Sequence, residues 1–350
     1  MNISSAKLPS NILQELASTI TQLAASGKGL LAADESTATI TKRFSALGIT
    51  SNEDTRKAYR ELLLTTPDIN QFISGVILYE ETLDQITNSG VSFSTLLNQL
   101  NIVPGIKVDK GLVPLPNTLD EKITQGLDGL YERLTTYKNK GARFAKWRAV
   151  YSIAAQTPSS LVIKTNANDL ARYAVICQSL GIVPIVEPEV LIDGNHTLEM
   201  CAEITESVLQ ALFHALFKYH AVLEYTVLKP SMIIAGNQSS QQNSPQQVAT
   251  ATVEILKRTV PAAIPTINFL SGGQTPQQAT ANLNEMHLLN NNEKLPWNLS
   301  FSYARALQEP CMKAWLGKNE NKEIAQQAFY KRSQLASLAS LGKYNTAMEK

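Results

Sequence analysis

Charged residues recur where short apolar runs end, and they come in pairs. Asp34 follows the run Gly29–Ala33, Lys107 and Asp109 close 104–108, and Lys146 and Arg148 lie within 142–150. Glu187 and Glu189 follow 183–186, Lys229 precedes Pro230 after 223–228, Ser271-Gly272-Gly273 follows 264–270, and Arg305 follows 299–303. Residues two apart on a strand share a face, so Lys107/Asp109, Lys146/Arg148 and Glu187/Glu189 can each point the same way. Any one of them alone reads as a solvated strand end. The whole set gathered at one mouth reads as a site.

Each group suggests its own chemistry. Lys229, after Val227-Leu228 and before Pro230, sits where desolvation and neighbouring cations favour a neutral amine, the form that attacks a ketone. A lysine snorkelling to water is the bland alternative. Glu187 and Glu189 suit general acid–base work, or serve simply as ion-pair partners for Lys146 and Arg148. Ser271-Gly272-Gly273 before Gln274-Thr275-Pro276 offers backbone N–H groups at a helix start, an anion cradle that the Arg305 guanidinium could complete. The four histidines give no metal site, since His214 and His220 are six apart on a predicted helix and face different ways.

The elements that must hold these groups alternate. Strands are predicted at Gly29–Ala33, Ile73–Leu78, 104–108, 142–150, 183–186, 223–228, 264–270 and 299–303. Helices are predicted at 52–64, 119–140, 167–180, 197–219, Pro245–Thr259, 276–286 and 320–339. In 119–140, Ile123, Leu127, Leu130 and Leu134 recur at helical spacing. Eight strand–helix repeats predict an α/β fold, a single (β/α)8 TIM barrel with extra N- and C-terminal helices, whose chemistry belongs at the strand C-termini. No linker interrupts the chain. One domain is expected over 1–350, with a short N-terminal extension at 1–10 and a mobile C-terminal segment at 340–350.

Composition sets outer bounds. The 350 residues carry a net charge of +1 with 44% hydrophobic and 17% charged residues, so bulk charge points to neither nucleic acid nor an anionic membrane. Three scattered cysteines form no disulfide framework, and no signal-like or spanning apolar stretch is present. A cytoplasmic location is the expectation.

Several of these segments resemble class I fructose-bisphosphate aldolases. They are Leu31-Ala32-Ala33-Asp34-Glu35-Ser36, Ile185-Val186-Glu187-Pro188-Glu189, Leu228-Lys229-Pro230, Phe269-Leu270-Ser271-Gly272-Gly273-Gln274 and Phe301-Ser302-Tyr303-Ala304-Arg305-Ala306-Leu307. Order and spacing match over roughly residues 10 to 344. The resemblance implies reversible aldol cleavage of fructose 1,6-bisphosphate to dihydroxyacetone phosphate and glyceraldehyde 3-phosphate, in glycolysis and gluconeogenesis, with neither cofactor nor metal. Lys229 would form the iminium, Glu187 would shuttle protons with Glu189 in support, Lys146 would stabilise negative charge, and Asp34 would orient the hydroxyl at the breaking bond. One phosphate would sit on Ser271, Gly272, Gly273 and Arg305, with Ser302 and Arg148 also in the substrate site. The other would sit near Ser36, Thr39, Lys107 and Lys42 or Arg43. A homotetramer is implied as well.

Three departures from the family pattern stand out. Ala38 and Thr39 replace a glycine and a serine. Ala304 replaces a glycine and would be strained at positive φ. The chain also lacks the long tyrosine-ended tail of the animal and plant members. Two other readings compete: a different Schiff-base lyase of the transaldolase or deoxysugar-phosphate type, and a non-catalytic scaffold for acidic partners. Two phosphate sites argue against the first, and a positioned nucleophile and base against the second.

Overall fold

The computed structural model describes residues 8–289 and 294–350; the first seven residues of the expected N-terminal extension lie outside them. The strands are β1 (Gly29–Ala33), β2 (Ile73–Leu78), β3 (Val103–Lys107), β4 (Leu112–Pro114), β5 (Lys122–Thr124), β6 (Phe144–Tyr151), β7 (Val183–Val190), β8 (Val227–Leu228), β9 (Thr266–Phe269) and β10 (Asn298–Tyr303). All but β4 and β5 close a barrel in the order β1-β10-β9-β8-β7-β6-β3-β2, and every pairing in it is parallel. This is the TIM barrel expected from the alternation.

The helices around these strands are α1 (Ser10–Leu23), α2 (Thr37–Ser45), α3 (Glu53–Leu64), α4 (Glu80–Asp84), α5 (Phe93–Gln99) and α6 (Leu130–Asn139). They continue with α7 (Ser160–Ser179), α8 (Leu198–Lys218), α9 (Pro245–Thr259), α10 (Pro276–Leu288), α11 (Arg305–Trp315) and α12 (Lys322–Ala339). Among the described residues no helix is long and apolar enough to cross a membrane. The extra helix α1 plugs one end of the barrel. Its Leu16, Ile20 and Leu23 pack with Leu30, Ile77, Val103, Phe144, Val183, Ile185 and Val227 from the strands. Phe144 fits there because its neighbour is Gly105, where a Cβ would come within 2.3 Å of the ring. Burying so much apolar surface at about 25 cal/mol per Å² is what makes the barrel rigid enough to hold side chains in place.

The expected helix over 119–140 is corrected. Its first part is the hairpin β4–β5, in which Ile123 lies opposite Val113, and the helix begins only at Leu130. Gly126 (φ +117°) and Gly129 (φ +63°) take left-handed backbone, which ends any helix, so the helical spacing of Ile123 and Leu127 is coincidental. The expected strand 223–228 shrinks to Val227–Leu228, preceded by a 3-10 turn at Leu223–Tyr225. The Gln178 amide of α7 takes both Val222 backbone groups, at 2.8 and 2.9 Å, and so removes them from strand pairing. Helix α7 starts at Ser160 rather than 167, capped by Ser159, and β7 runs on to Val190. Other ends differ by a residue or two.

The segment 340–350, expected to be mobile, carries defined contacts. Tyr344 is buried, its N–H donates to Asn284 Oδ1 at 2.9 Å, and Arg332 holds Glu349 through two hydrogen bonds of 2.7 and 2.6 Å.

Candidate active site

Parallel strands deliver their C-terminal ends to one rim, and there the charged residues meet. Lys229 follows β8 and keeps the ladder going for one residue, its N–H donating to Val186 carbonyl at 2.9 Å. Lys146 and Arg148 lie on β6 and Glu187 and Glu189 on the neighbouring β7, with Arg148 level with Glu187. Asp34 follows β1, and Lys107 ends β3. All of them line one cavity of about 510 Å³, together with Ser36, Thr39, Arg43, Asp109, Ser271, Gly272, Ser302 and Arg305.

Five buried side chains form a continuous ionic network. Lys229 Nζ lies 3.1 Å from Glu187 Oε1, and Glu187 Oε2 lies 3.4 Å from Lys146 Nζ. Lys146 Nζ is 2.9 Å from Asp34 Oδ2 and 3.8 Å from Asp109 Oδ2. Burial alone would raise the Asp34 pKa, but Lys146, with Lys229 and Lys107 behind it, holds that carboxyl well below the usual range. Burial likewise opposes the charge of Lys146, yet Asp34, Glu187 and Asp109 hold its ammonium above the ordinary lysine value. Arg148 is paired with Glu189. Glu187 therefore stands between two amines, 3.1 Å from Lys229 and 3.4 Å from Lys146, while Lys146 and Asp34 keep opposite charges beside it.

The two groups of residues expected to hold phosphates flank this network. On one side, Gly272 (φ +47°) and Gly273 (φ +85°) turn the loop after β9 left-handed ahead of α10, whose cap is Thr275. Gly272 and Arg305 both line the mouth cavity, whereas Gly273 lies outside its lining, although a Cβ there would be 3.5 Å from Arg305 Nη2. Ala304 has φ −100°, so the alanine departure carries no left-handed strain. Ser302 on β10 is buried, and its Oγ has no hydrogen-bond partner among the described residues. On the other side, Ser36 caps α2 and its Oγ lies 3.1 Å from Thr39 Oγ1, so threonine keeps the hydroxyl that serine would supply.

Of the two cations offered for that second cradle, Arg43 lines the cavity, while Lys42 is exposed and outside its lining. Adjacent helical residues point about 100° apart, so only one can face the mouth. Two residues were passed over by sequence reasoning. Glu35, within the Asp34 motif, accepts from Arg43, from Arg60 at 2.7 Å and from Gln308 at 2.8 Å. Glu80 pairs with Lys110 at 3.0 Å on the rim. Only the motif position of Glu35 hinted at the first, and nothing periodic marked the second. Among the described residues no three or more His, Cys, Asp or Glu side chains group to hold a metal ion.

Comparison with known proteins covers nearly the whole chain. The family described as fructose-bisphosphate aldolase class-I matches residues 15–350. A probable fructose-bisphosphate aldolase class 1 of Xanthomonas campestris pv. campestris is 52% identical over 333 residues, covering 95% of this chain and 99% of the relative. The cytosolic fructose-bisphosphate aldolase 4 of Arabidopsis thaliana is 52% identical over 330 residues, covering 94% and 84%. A solved structure of Plasmodium falciparum fructose-bisphosphate aldolase, in complex with TRAP and a small-molecule inhibitor, superposes with TM-score 0.94 at 48% identity, covering 97% of each chain. With the barrel, the rim and the matched sequence in agreement, this chain belongs to the class I fructose-bisphosphate aldolase family.

Proposed function

We propose that this aldolase cleaves fructose 1,6-bisphosphate through a Schiff base on Lys229, reversibly, in glycolysis and gluconeogenesis. The observation that carries the reading is the placement of Lys229 Nζ 3.1 Å from Glu187 Oε1, within one cavity flanked by two anion cradles. The Lys229 amine adds to the C2 carbonyl, and Glu187 gives its proton to the departing hydroxyl, so water leaves and an iminium forms. The Glu187 carboxylate left by that step takes the C4 hydroxyl proton, with Asp34 orienting that hydroxyl and Lys146 steadying the developing negative charge, and C3–C4 breaks. The bond electrons pass into the iminium, giving an enamine and free glyceraldehyde 3-phosphate. Protonation of the enamine at C3, then hydrolysis, returns dihydroxyacetone phosphate and the amine.

The first cradle, Ser271, Gly272, Gly273 and Arg305, holds the phosphate that stays with the enamine. The second, Ser36, Thr39, Lys107 and Arg43, holds the phosphate that leaves with the aldehyde. Glu189 paired with Arg148 supplies a fixed dipole beside Glu187. We read 1–350 as one catalytic domain working as a homotetramer in the cytoplasm, the location printed in the name of the Arabidopsis relative. Borohydride reduction in the presence of dihydroxyacetone phosphate tests the chemistry: the reduced ligand mass should appear on the peptide containing Lys229. A label on another lysine, or activity abolished by a chelator, would sink the mechanism. Light scattering on the purified protein tests the tetramer.

A further inference from the structure

Asp109 has no part in the mechanism above, yet it lies in the middle of the mouth, 7% exposed and two residues beyond the end of β3. Its two oxygens are used unequally. Oδ1 accepts from Lys107 Nζ at 2.6 Å and from Gly111 N–H at 3.2 Å, and Lys107 also donates to the Asp109 carbonyl at 2.9 Å. Oδ2 accepts from no group among the described residues and faces Lys146 Nζ at 3.8 Å. The backbone on either side is fixed, because Val108 N–H donates to Lys146 carbonyl at 3.1 Å and Arg133 Nη1 donates to Val108 carbonyl at 2.9 Å. A buried carboxylate oxygen with no donor is costly, and native sites that keep one tend to use it.

Lys146 is the group that can use it. Its ammonium has Asp34 at 2.9 Å, Glu187 at 3.4 Å and Asp109 at 3.8 Å. During cleavage Asp34 turns to the substrate hydroxyl and Glu187 exchanges protons, so both nearer carboxylates are drawn away from Lys146. Asp109 exchanges no proton with substrate and remains. It is nevertheless tethered by Lys107, the same lysine that the second phosphate cradle needs. A phosphate arriving there takes Lys107 from Oδ1 and leaves the Asp109 carboxylate held by Gly111 alone, free to close on Lys146.

We propose that Asp109 is a positioning residue that couples the two lysines: an outer phosphate draws Lys107 away, and the released carboxylate then seats the Lys146 ammonium for C–C cleavage. The inference rests on the Schiff-base reading and deepens it. It makes bisphosphate specificity appear in kcat as well as in KM, because a monophosphate with nothing at the outer cradle leaves Lys107 on Asp109.

The test is the full-length enzyme and its Asp109→Asn variant, each assayed with fructose 1,6-bisphosphate and with fructose 1-phosphate, and each trapped with borohydride and dihydroxyacetone phosphate. Asp109→Asn should lower kcat on the bisphosphate by about ten- to a hundred-fold, the worth of one charge-assisted contact. It should lower kcat on the monophosphate much less, so that the ratio of the two contracts while trapping at Lys229 persists. Equal loss on both substrates in Asp109→Asn, or no loss on either, overturns the coupling. Failure of the parent enzyme to trap at Lys229 would instead overturn the Schiff-base reading beneath it.

Discussion

The barrel mouth and the C-terminal clamp both bury ions, and they do so to opposite ends. At the clamp, Arg332 Nη1 meets both oxygens of Glu349, and its Nη2 donates to Pro276 carbonyl at 3.1 Å and Thr280 Oγ1 at 2.7 Å. Tyr344 Oη donates to Glu349 Oε1 at 3.0 Å, and Lys331 Nζ donates to the carbonyls of Glu349 and Lys350. Burial, with Glu349 beside it, pushes the Tyr344 hydroxyl up to about 12, which keeps it a donor. Apart from Arg332 Nε, the clamp is saturated. At the mouth, Glu187 Oε2, Asp109 Oδ2 and Ser302 Oγ have no hydrogen-bond partner among the described residues, and their residues face a cavity of about 510 Å³. Buried charge alone therefore does not mark chemistry. Buried charge with unused lone pairs beside open space does.

The sharpest way to test that contrast is to remove the nucleophile. Lys229→Ala should cut turnover by at least about 10⁴-fold, the upper end of what a single positioned proton-transfer group supplies, and should abolish borohydride labelling. Activity within tenfold of the parent would place the reacting amine elsewhere.

Next in size are the two cradles. Arg305→Ala should weaken binding of both fructose 1,6-bisphosphate and dihydroxyacetone phosphate by about ten- to a hundred-fold. Lys107→Ala should penalise the bisphosphate and spare fructose 1-phosphate in KM. Both substitutions hitting both substrates alike would show that the cations are not divided between the two ends.

At the clamp the expected loss is in stability and not in rate. Glu349→Gln leaves the buried Arg332 without a charged partner, and breaking such a pair costs about 3 kcal/mol, the low end of the range because Glu349 is 19% exposed. Deletion of 345–350 should change turnover little. The clamp adds that the same deletion lowers the urea midpoint while kcat stays within about twofold. A tenfold fall in kcat with the fold intact would join the tail to the site and erase the contrast.

The smallest effect is on acid stability. The Asp34 carboxyl is depressed in the folded state, so its contribution is present above the unfolded value near 4 and is lost as pH falls through the lower folded value. Lys146 is raised, so its contribution is present below about 10.4 and disappears only at higher pH. Asp34→Asn should therefore flatten the acid side of the stability curve below about pH 4 and leave the neutral region's slope unchanged. A changed slope between pH 6 and 8 would mean that another group responds.

Much of this was legible in the chain. Glu187-Pro188-Glu189 and Lys229-Pro230 stand where apolar runs end, and a strand that ends at a barrel rim leaves its last polar residues at the mouth. The two-residue steps of Lys146/Arg148 and Lys107/Asp109 carried their shared faces, since side chains alternate along a strand. The segment 119–140 misled because a helical spacing of apolar residues is compatible with a hairpin followed by a shorter helix. Gly126 and Gly129 were the contrary signal.

By itself, then, the sequence determined the alternation of strands and helices, most strand ends and which charged residues stand at them, because those follow from local pattern and local chain conformation. Closure of the barrel decided the rest. Asp34 and Lys146 lie on β1 and β6 surroundings separated by more than a hundred residues of chain, and only the register of parallel strands sets 2.9 Å between them. The choice of Arg43 over Lys42, the sharing of Lys107 between Asp109 and the cavity, and the docking of Glu349 on Arg332 join residues much nearer in sequence, yet they too depend on how the packed elements turn their side chains. Distances between such groups, and hence which charges are compensated and which stay available, are properties of packing that no local pattern encodes.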